Sequence, residues 1–354
     1  MTAFQQLHQP TGRMIYKDEE EYLFFGGTAY LGFLDNPDYT RLYKKGIDIY
    51  GLNNGTSRSN NVQLGIYDEA EYRLAERFGF ADAALLSSGY LAAQVAVRAL
   101  SSGKEVLYAP DSHPALWMEV DGEDGRSFVE WRDDIINYIN QSVQKEFVVI
   151  SNTLDNLKPD FYDFSPFASL CDPSKHLLFI LDDSHGLGVV KKDAVSVDIG
   201  FADDSANIDV VVVASLAKGM GTDAGIVLGP ADYIKEIKMH PIFRGASPPA
   251  PAAVYALING RDLYDQAFDV LHRNIDLFGC MINTDARLRH IADFPVFTSV
   301  DPHLYKHLLH RHVLISSFPY PFPDSPLLNR IVISSLHKKE DLQYLAEAYF
   351  GKTQ

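Results

Sequence analysis

Five stretches of this 354-residue chain are near-continuous apolar runs of strand length: "EVLYA" (105–109), "EFVVIS" (146–151), "HLLFILDD" (176–183), "DVVVVAS" (209–215) and "GIVLG" (225–229). A strand with one wet face alternates apolar and polar residues, and these do not. Such runs belong in a parallel or mixed sheet covered on both faces by helices. A sixth, shorter run, "AALL" (83–86), precedes them. Helix-like segments alternate with the strands, so the class is α/β. Helices are also expected over 36–50, 67–79 and 91–102, and a short hairpin over 13–34. The pattern changes at the proline-rich "HPIFRGASPPAPAAV" (240–254). Beyond it a long helix is expected over 250–284, followed by "FPVFTSV", "VLISSF" and "NRIVISS" as strands and a closing helix over 338–350. These read as a smaller α+β lobe.

Composition narrows the partners. Formal net charge is -16, which repels nucleic acid and anionic membrane surfaces. Only Cys171 and Cys280 occur, with no CxxC spacing, so neither a cysteine zinc site nor a disulfide framework is expected. The N-terminal stretch has no apolar signal region, and no window approaches the roughly 18 apolar residues of a membrane span. A soluble, cytoplasmic protein is expected.

Ligands of open α/β sheets bind beyond the carboxyl ends of the strands, so those ends carry the functional reading. "LLSSGYLAAQ" puts Ser88, Gly89 and Tyr90 at a helix start, where free N–H groups and a glycine suit a phosphate. "YAPDSHPALW" puts His113 just past a strand. "FILDDSHGLG" ends a strand at Asp182, with His185 three residues on. That spacing also suits a metal, but no further ligand cluster accompanies it, so no metal is expected. "ASLAKGMG" carries Ser215 and Lys218 after an apolar strand, where a lysine's pKa falls and its amine becomes nucleophilic. Each feature is weak alone. Together, a phosphate cradle, a stacking histidine, a carboxylate for a ring nitrogen and a lysine amine are what pyridoxal 5'-phosphate demands. "GMGTDAG" is not a dinucleotide fingerprint and follows the lysine, which disfavours NAD.

The order of these motifs resembles the α-oxoamine synthase family of fold-type I pyridoxal phosphate enzymes, in particular its 8-amino-7-oxononanoate synthase and 2-amino-3-ketobutyrate CoA ligase branches. The likeness runs from "AYLGF" (29–33) to "RIVISSLHKKEDL". It implies a large domain with a mostly parallel seven-stranded sheet over 46–245, a small C-terminal domain over 246–354, and an N-terminal segment, 1–45, packing with the latter. By the same likeness Ser88, Gly89, Tyr90 and Ser215 hold the cofactor phosphate, His113 stacks on the ring, Asp182 meets its nitrogen, His185 its hydroxyl, and Lys218 is the Schiff-base lysine. Lys218, His113 and His185 would carry the catalysis. Arg330, in the last strand, would bind the substrate carboxylate, for which a guanidinium is the natural partner. The implied activity is condensation of a small amino acid with an acyl-CoA or acyl-carrier thioester, with loss of CO2, as in biotin synthesis. Another pyridoxal phosphate reaction (aminotransferase or aldolase type) and a non-catalytic subunit are the alternatives. A homodimer with active sites at its interface is implied, in keeping with a polar loop, "GLNNGTSRSNN" (51–61), that has no obvious partner in its own lobe. The chain departs from the family pattern at Ala29, Val62, Tyr67 and "RGAS" (244–247).

Overall fold

The computed structural model describes residues 4–118, 125–203, 205–282, 285–319, 324–325 and 327–351. The chain opens with a hairpin, β1 (Met14–Lys17) and β2 (Glu20–Phe25), then α1 (Pro37–Tyr50) and α2 (Ile66–Phe78). Next come β3 (Asp82–Leu86), α3 (Gly89–Leu100), β4 (Glu105–Tyr108), α4 (Phe128–Gln141) and β5 (Glu146–Asn152). A two-residue ribbon, β6 (Leu154–Asp155) and β7 (Asp160–Phe161), leads to α5 (Ser165–Leu170), β8 (His176–Asp182), β9 (Ile208–Ser215) and β10 (Gly225–Gly229). The remainder is α6 (Ala231–Met239), α7 (Pro241–Gly245), α8 (Pro251–Asn259), α9 (Arg261–Ile282), β11 (Val296–Ser299), α10 (Leu304–Leu309), β12 (Val313–Pro319), β13 (Leu327–Val332) and α11 (Lys339–Phe350).

The large sheet runs β3-β10-β9-β8-β5-β4, parallel from β9 to β4, with β10 antiparallel to both its neighbours. Alternate residues of its strands enter separate apolar clusters. Phe147, Val149, Phe179 and Leu181 pack on one face; Val148, Ile150, Leu178 and Ile180 pack on the other, against α3 and α6. This two-sided burial is why the runs are apolar throughout. The six strands are the six apolar runs. The seventh, implied by family resemblance alone, is not among the described residues, and no further apolar run of strand length lies in this part of the chain.

The second sheet runs β1-β2-β12-β13-β11. The N-terminal hairpin enters it through β2, parallel to β12. Two contacts fasten that edge to the C-terminal segment: His337 Nε2 bonds Phe24 O at 2.9 Å, and Arg13 bridges Asp341 at 2.5 Å. The single long helix expected over 250–284 is two helices, broken at Gly260. A Cβ there would sit 2.9 Å from Ala256 O and 3.3 Å from the Tyr39 ring, so close packing holds the break at a glycine.

The polar loop 51–61 also differs from expectation, because it has partners in its own chain. Arg58 bridges the buried Glu71 at 2.8 Å and lies over the Tyr67 ring at 4.5 Å, and Ser59 Oγ donates to Arg244 O at 2.9 Å.

Candidate active site

The carboxyl ends of β4, β5, β8 and β9 open on one polar cavity, lined by His113, Asp182, His185 and Lys218 together with Asn152, Thr153 and Asp155. Successive strand residues point to opposite faces, and the two aspartates at the end of β8 diverge accordingly. Asp183 is fully buried. Its carboxylate accepts from Thr153 Oγ1 at 2.7 Å, Ser196 Oγ at 2.5 Å and Ser196 N at 2.9 Å, while burial pushes its pKa up to about 6. Asp182 is half-buried, accepts from Ser184 N at 2.8 Å, and faces the cavity. Removing Asp183 strands three donors, each of which costs about 1–3 kcal/mol when left buried. Asp183→Ala is thus expected to lower the unfolding midpoint in urea sharply, and Asp182→Ala to leave it near wild type; the reverse ranking would exchange their roles.

Lys218 follows β9. Its Nζ lies 2.9 Å from His185 Nε2, and the other ring nitrogen, Nδ1, lies 2.7 Å from the Tyr30 hydroxyl. Burial lowers the Lys218 pKa; Asp182 opposes that shift and the Arg330 charge adds to it. Burial likewise holds His185 well below its ordinary value, assisted by Lys218 and Arg330. The His113 ring accepts from Ala115 N at Nδ1 (3.1 Å), and the His113 backbone N–H donates to Asn152 Oδ1 at 3.1 Å. Burial lowers its pKa too, against Asp182. With Nδ1 engaged as an acceptor, the neutral ring carries its proton on Nε2.

Ser88 caps α3, its Oγ accepting from Leu91 N at 3.2 Å. Gly89 abuts Ser215: a Cβ at 89 would lie 2.4 Å from that of Ser215, so only glycine fits. These residues lie outside the cavity lining, and the Tyr90 side chain is exposed.

Arg330 lies on β13 between Ser316 of β12 and Thr298 of β11. It is only 5% exposed, and its Nε and Nη2 have no hydrogen-bond partner among the described residues. Buried N–H groups of a cation are costly to leave unpaired, so this guanidinium has donors to offer a further acceptor. It reaches the cavity electrostatically through Tyr30, His185 and Lys218. Sequence reasoning passed over Tyr30, Asn152 and Thr153. The last two sit at a strand end like the other site residues, which was the available signal; Tyr30 lies in "AYLGF", which marked the family likeness, but its loop is brought in by the other sheet and nothing local ties it to the cavity.

No family model matches the chain. It is 23% identical over 350 residues to an 8-amino-7-oxononanoate synthase of Pectobacterium atrosepticum, covering 95% of this chain and 90% of that protein. Among solved structures, the serine palmitoyltransferase of Sphingomonas wittichii superposes with a TM-score of 0.82 at 17% identity, over 98% of this chain and 91% of that one. An 8-amino-7-oxononanoate synthase from Francisella tularensis superposes with a TM-score of 0.65 at 16% identity, over 93% and 96%. The fold is that of these enzymes.

Proposed function

We infer that this chain, a relative of the α-oxoamine synthases, is a pyridoxal phosphate enzyme that condenses a small amino acid with an acyl thioester and releases CO2, in the manner of 8-amino-7-oxononanoate synthase. The observation that carries the reading is the pairing of a buried, half-unpaired guanidinium, Arg330, with an amine of lowered pKa, Lys218. A substrate carboxylate supplies the anion that Arg330 lacks.

The residues present fit the cofactor. Lys218 is the covalent attachment point for its aldehyde, Asp182 the partner for its ring nitrogen, and His185 the partner for its ring hydroxyl. The close Gly89–Ser215 contact, beside the start of α3, leaves backbone N–H groups for its phosphate. When bound, pyridoxal phosphate supplies a ring that accepts the electrons of the bond broken at the substrate Cα. Arg330 fixes the amino acid by its carboxylate. Lys218 Nζ, favoured as a neutral amine, takes the Cα proton. His113, with its proton on Nε2, donates to the thioester carbonyl as charge develops there. A new bond from Cα to the acyl carbon replaces the C–S bond, the thiolate leaves and takes a proton from solvent, CO2 departs from Cα, and Lys218 returns its proton to Cα in place of the lost carboxylate. A homodimer is proposed with the family.

The test is a panel of glycine, alanine and serine against acyl thioesters of graded length, scored by CO2 release. Release that requires both the amino acid and the thioester is expected. Amino-group transfer or cleavage without a thioester would assign a different reaction to the same site.

A further inference from the structure

Tyr30 enters the cavity from outside the large sheet. It follows β2, is fully buried, and its carbonyl is held by Ser335 N at 3.0 Å, just past β13. The Tyr30 loop is thereby tied to the strand that carries Arg330. Among the described residues its hydroxyl has one hydrogen-bond partner, His185 Nδ1 at 2.7 Å, and it lies in the field of the Arg330 charge.

These contacts fix the direction of a hydrogen-bond chain. The Tyr30 hydroxyl is fully buried and His185 Nδ1 is its one hydrogen-bond partner among the described residues, so the hydroxyl proton goes to Nδ1. The imidazole then carries its own proton on Nε2, which faces Lys218 Nζ at 2.9 Å. An N–H pointing at an amine requires a lone pair there. The opposite arrangement has Lys218 as an ammonium donating to Nε2, and His185 Nδ1–H donating to Tyr30. In that arrangement the Tyr30 hydroxyl proton is left, among the described residues, with no acceptor in a fully buried position, which is costly. It also sets a second cation beside Arg330.

We propose that Tyr30 is a positioning residue: its hydroxyl sets the tautomer of His185, so that the imidazole presents an N–H to Lys218 and holds the lysine as a neutral amine. This rests on the reading of Lys218 as the reactive amine. Of the charged and titratable groups around the lysine, Asp182 on β8 favours its charged form, while Arg330 on β13 disfavours it. His113, after β4, faces the same cavity, as do Asp111 and Asp155. With Asp182 pulling toward the ammonium, a directed N–H from His185 is the local contact that opposes it. Burial supports the same state.

The test needs no turnover. The full chain, freed of cofactor and labelled with 15N at histidine, reports the His185 tautomer by NMR, with the resonance assigned from its loss in His185→Gln. Reductive methylation of Lys218 across a pH series, read on its peptide by mass spectrometry, reports the neutral amine. Wild type is expected to show a proton on Nε2 and a bare Nδ1. In Tyr30→Phe a mixed tautomer is expected, with the Lys218 midpoint raised by about one pH unit, a tenfold loss of neutral amine at a given pH. A role in packing alone would leave both readouts unmoved. An Nδ1–H imidazole in wild type overturns the proposal whether or not the variant folds. So does a folded Tyr30→Phe chain whose Lys218 reacts along the wild-type curve. Cofactor attachment is scored separately: a Lys218 that never carries pyridoxal phosphate sinks the functional reading without touching the tautomer result.

Discussion

Lys218→Ala abolishes turnover while the protein stays folded. Among the described residues the Lys218 amine has one hydrogen-bond partner, His185 Nε2, and it lies in the field of two further groups, Asp182 and Arg330. Taking away a largely desolvated amine with a single hydrogen-bond partner forfeits little contact, so the unfolding midpoint should hold. Function has no substitute. No other lysine lines the cavity among the described residues, and removing a positioned proton-transfer group alone typically costs about 10²–10⁴-fold. Losing the covalent hold on the cofactor adds to that. The check is thioester-dependent CO2 release alongside a melting curve. A variant with unchanged melting and turnover within tenfold of wild type would take Lys218 out of the chemistry.

Arg330→Ala weakens amino-acid binding by at least about tenfold and leaves the cofactor in place. Removing one member of a desolvated charge pair costs about 2–5 kcal/mol, and each 1.4 kcal/mol is a factor of ten. The amino acid bears most of the effect because Nε and Nη2 of Arg330 have no partner among the described residues, whereas Arg330 acts on the cofactor's Lys218 and His185 only through its charge. A titration with the best amino acid, followed in the visible band of the bound cofactor, measures this. An unchanged dissociation constant would place the carboxylate elsewhere. Arg330→Lys should recover only part of the loss, because an ammonium is a point charge without the planar fork.

Much of the large sheet was legible because two-sided burial leaves an unmistakable mark. Strands such as Phe147–Ile150 and Leu177–Leu181, fully buried, have no polar position at which to alternate. Asp182 and His185 were legible for a related reason: polar residues that abruptly end such a strand stand out. The seventh strand came from resemblance and had no run of its own. The break at Gly260 was hidden because the apolar periodicity of α8 and α9 continues across it, and only the crowding by Tyr39 and Tyr264 reveals why the helix stops. Loop 51–61 looked partnerless because its acidic partner, Glu71, reads in sequence as an ordinary residue of an exposed helix. Tyr30 was missed because its role depends on two sheets meeting: β2 brings it in, β13 carries Arg330 beside it, and β8 ends three residues before His185. Local pattern holds no information about such a meeting.

The covalent role of Lys218 has a direct measurement. The protein, purified with pyridoxal phosphate, is reduced with borohydride, digested and mapped by mass spectrometry. Reduction turns a carbon–nitrogen double bond between cofactor and lysine into a stable single bond, so the attachment survives digestion. The phosphopyridoxyl group is expected on the peptide containing Lys218, and on no other, with loss of the visible absorbance in step with labelling. A label on a different lysine, or a chain that binds the cofactor and yields no labelled peptide, would contradict the assignment of this site.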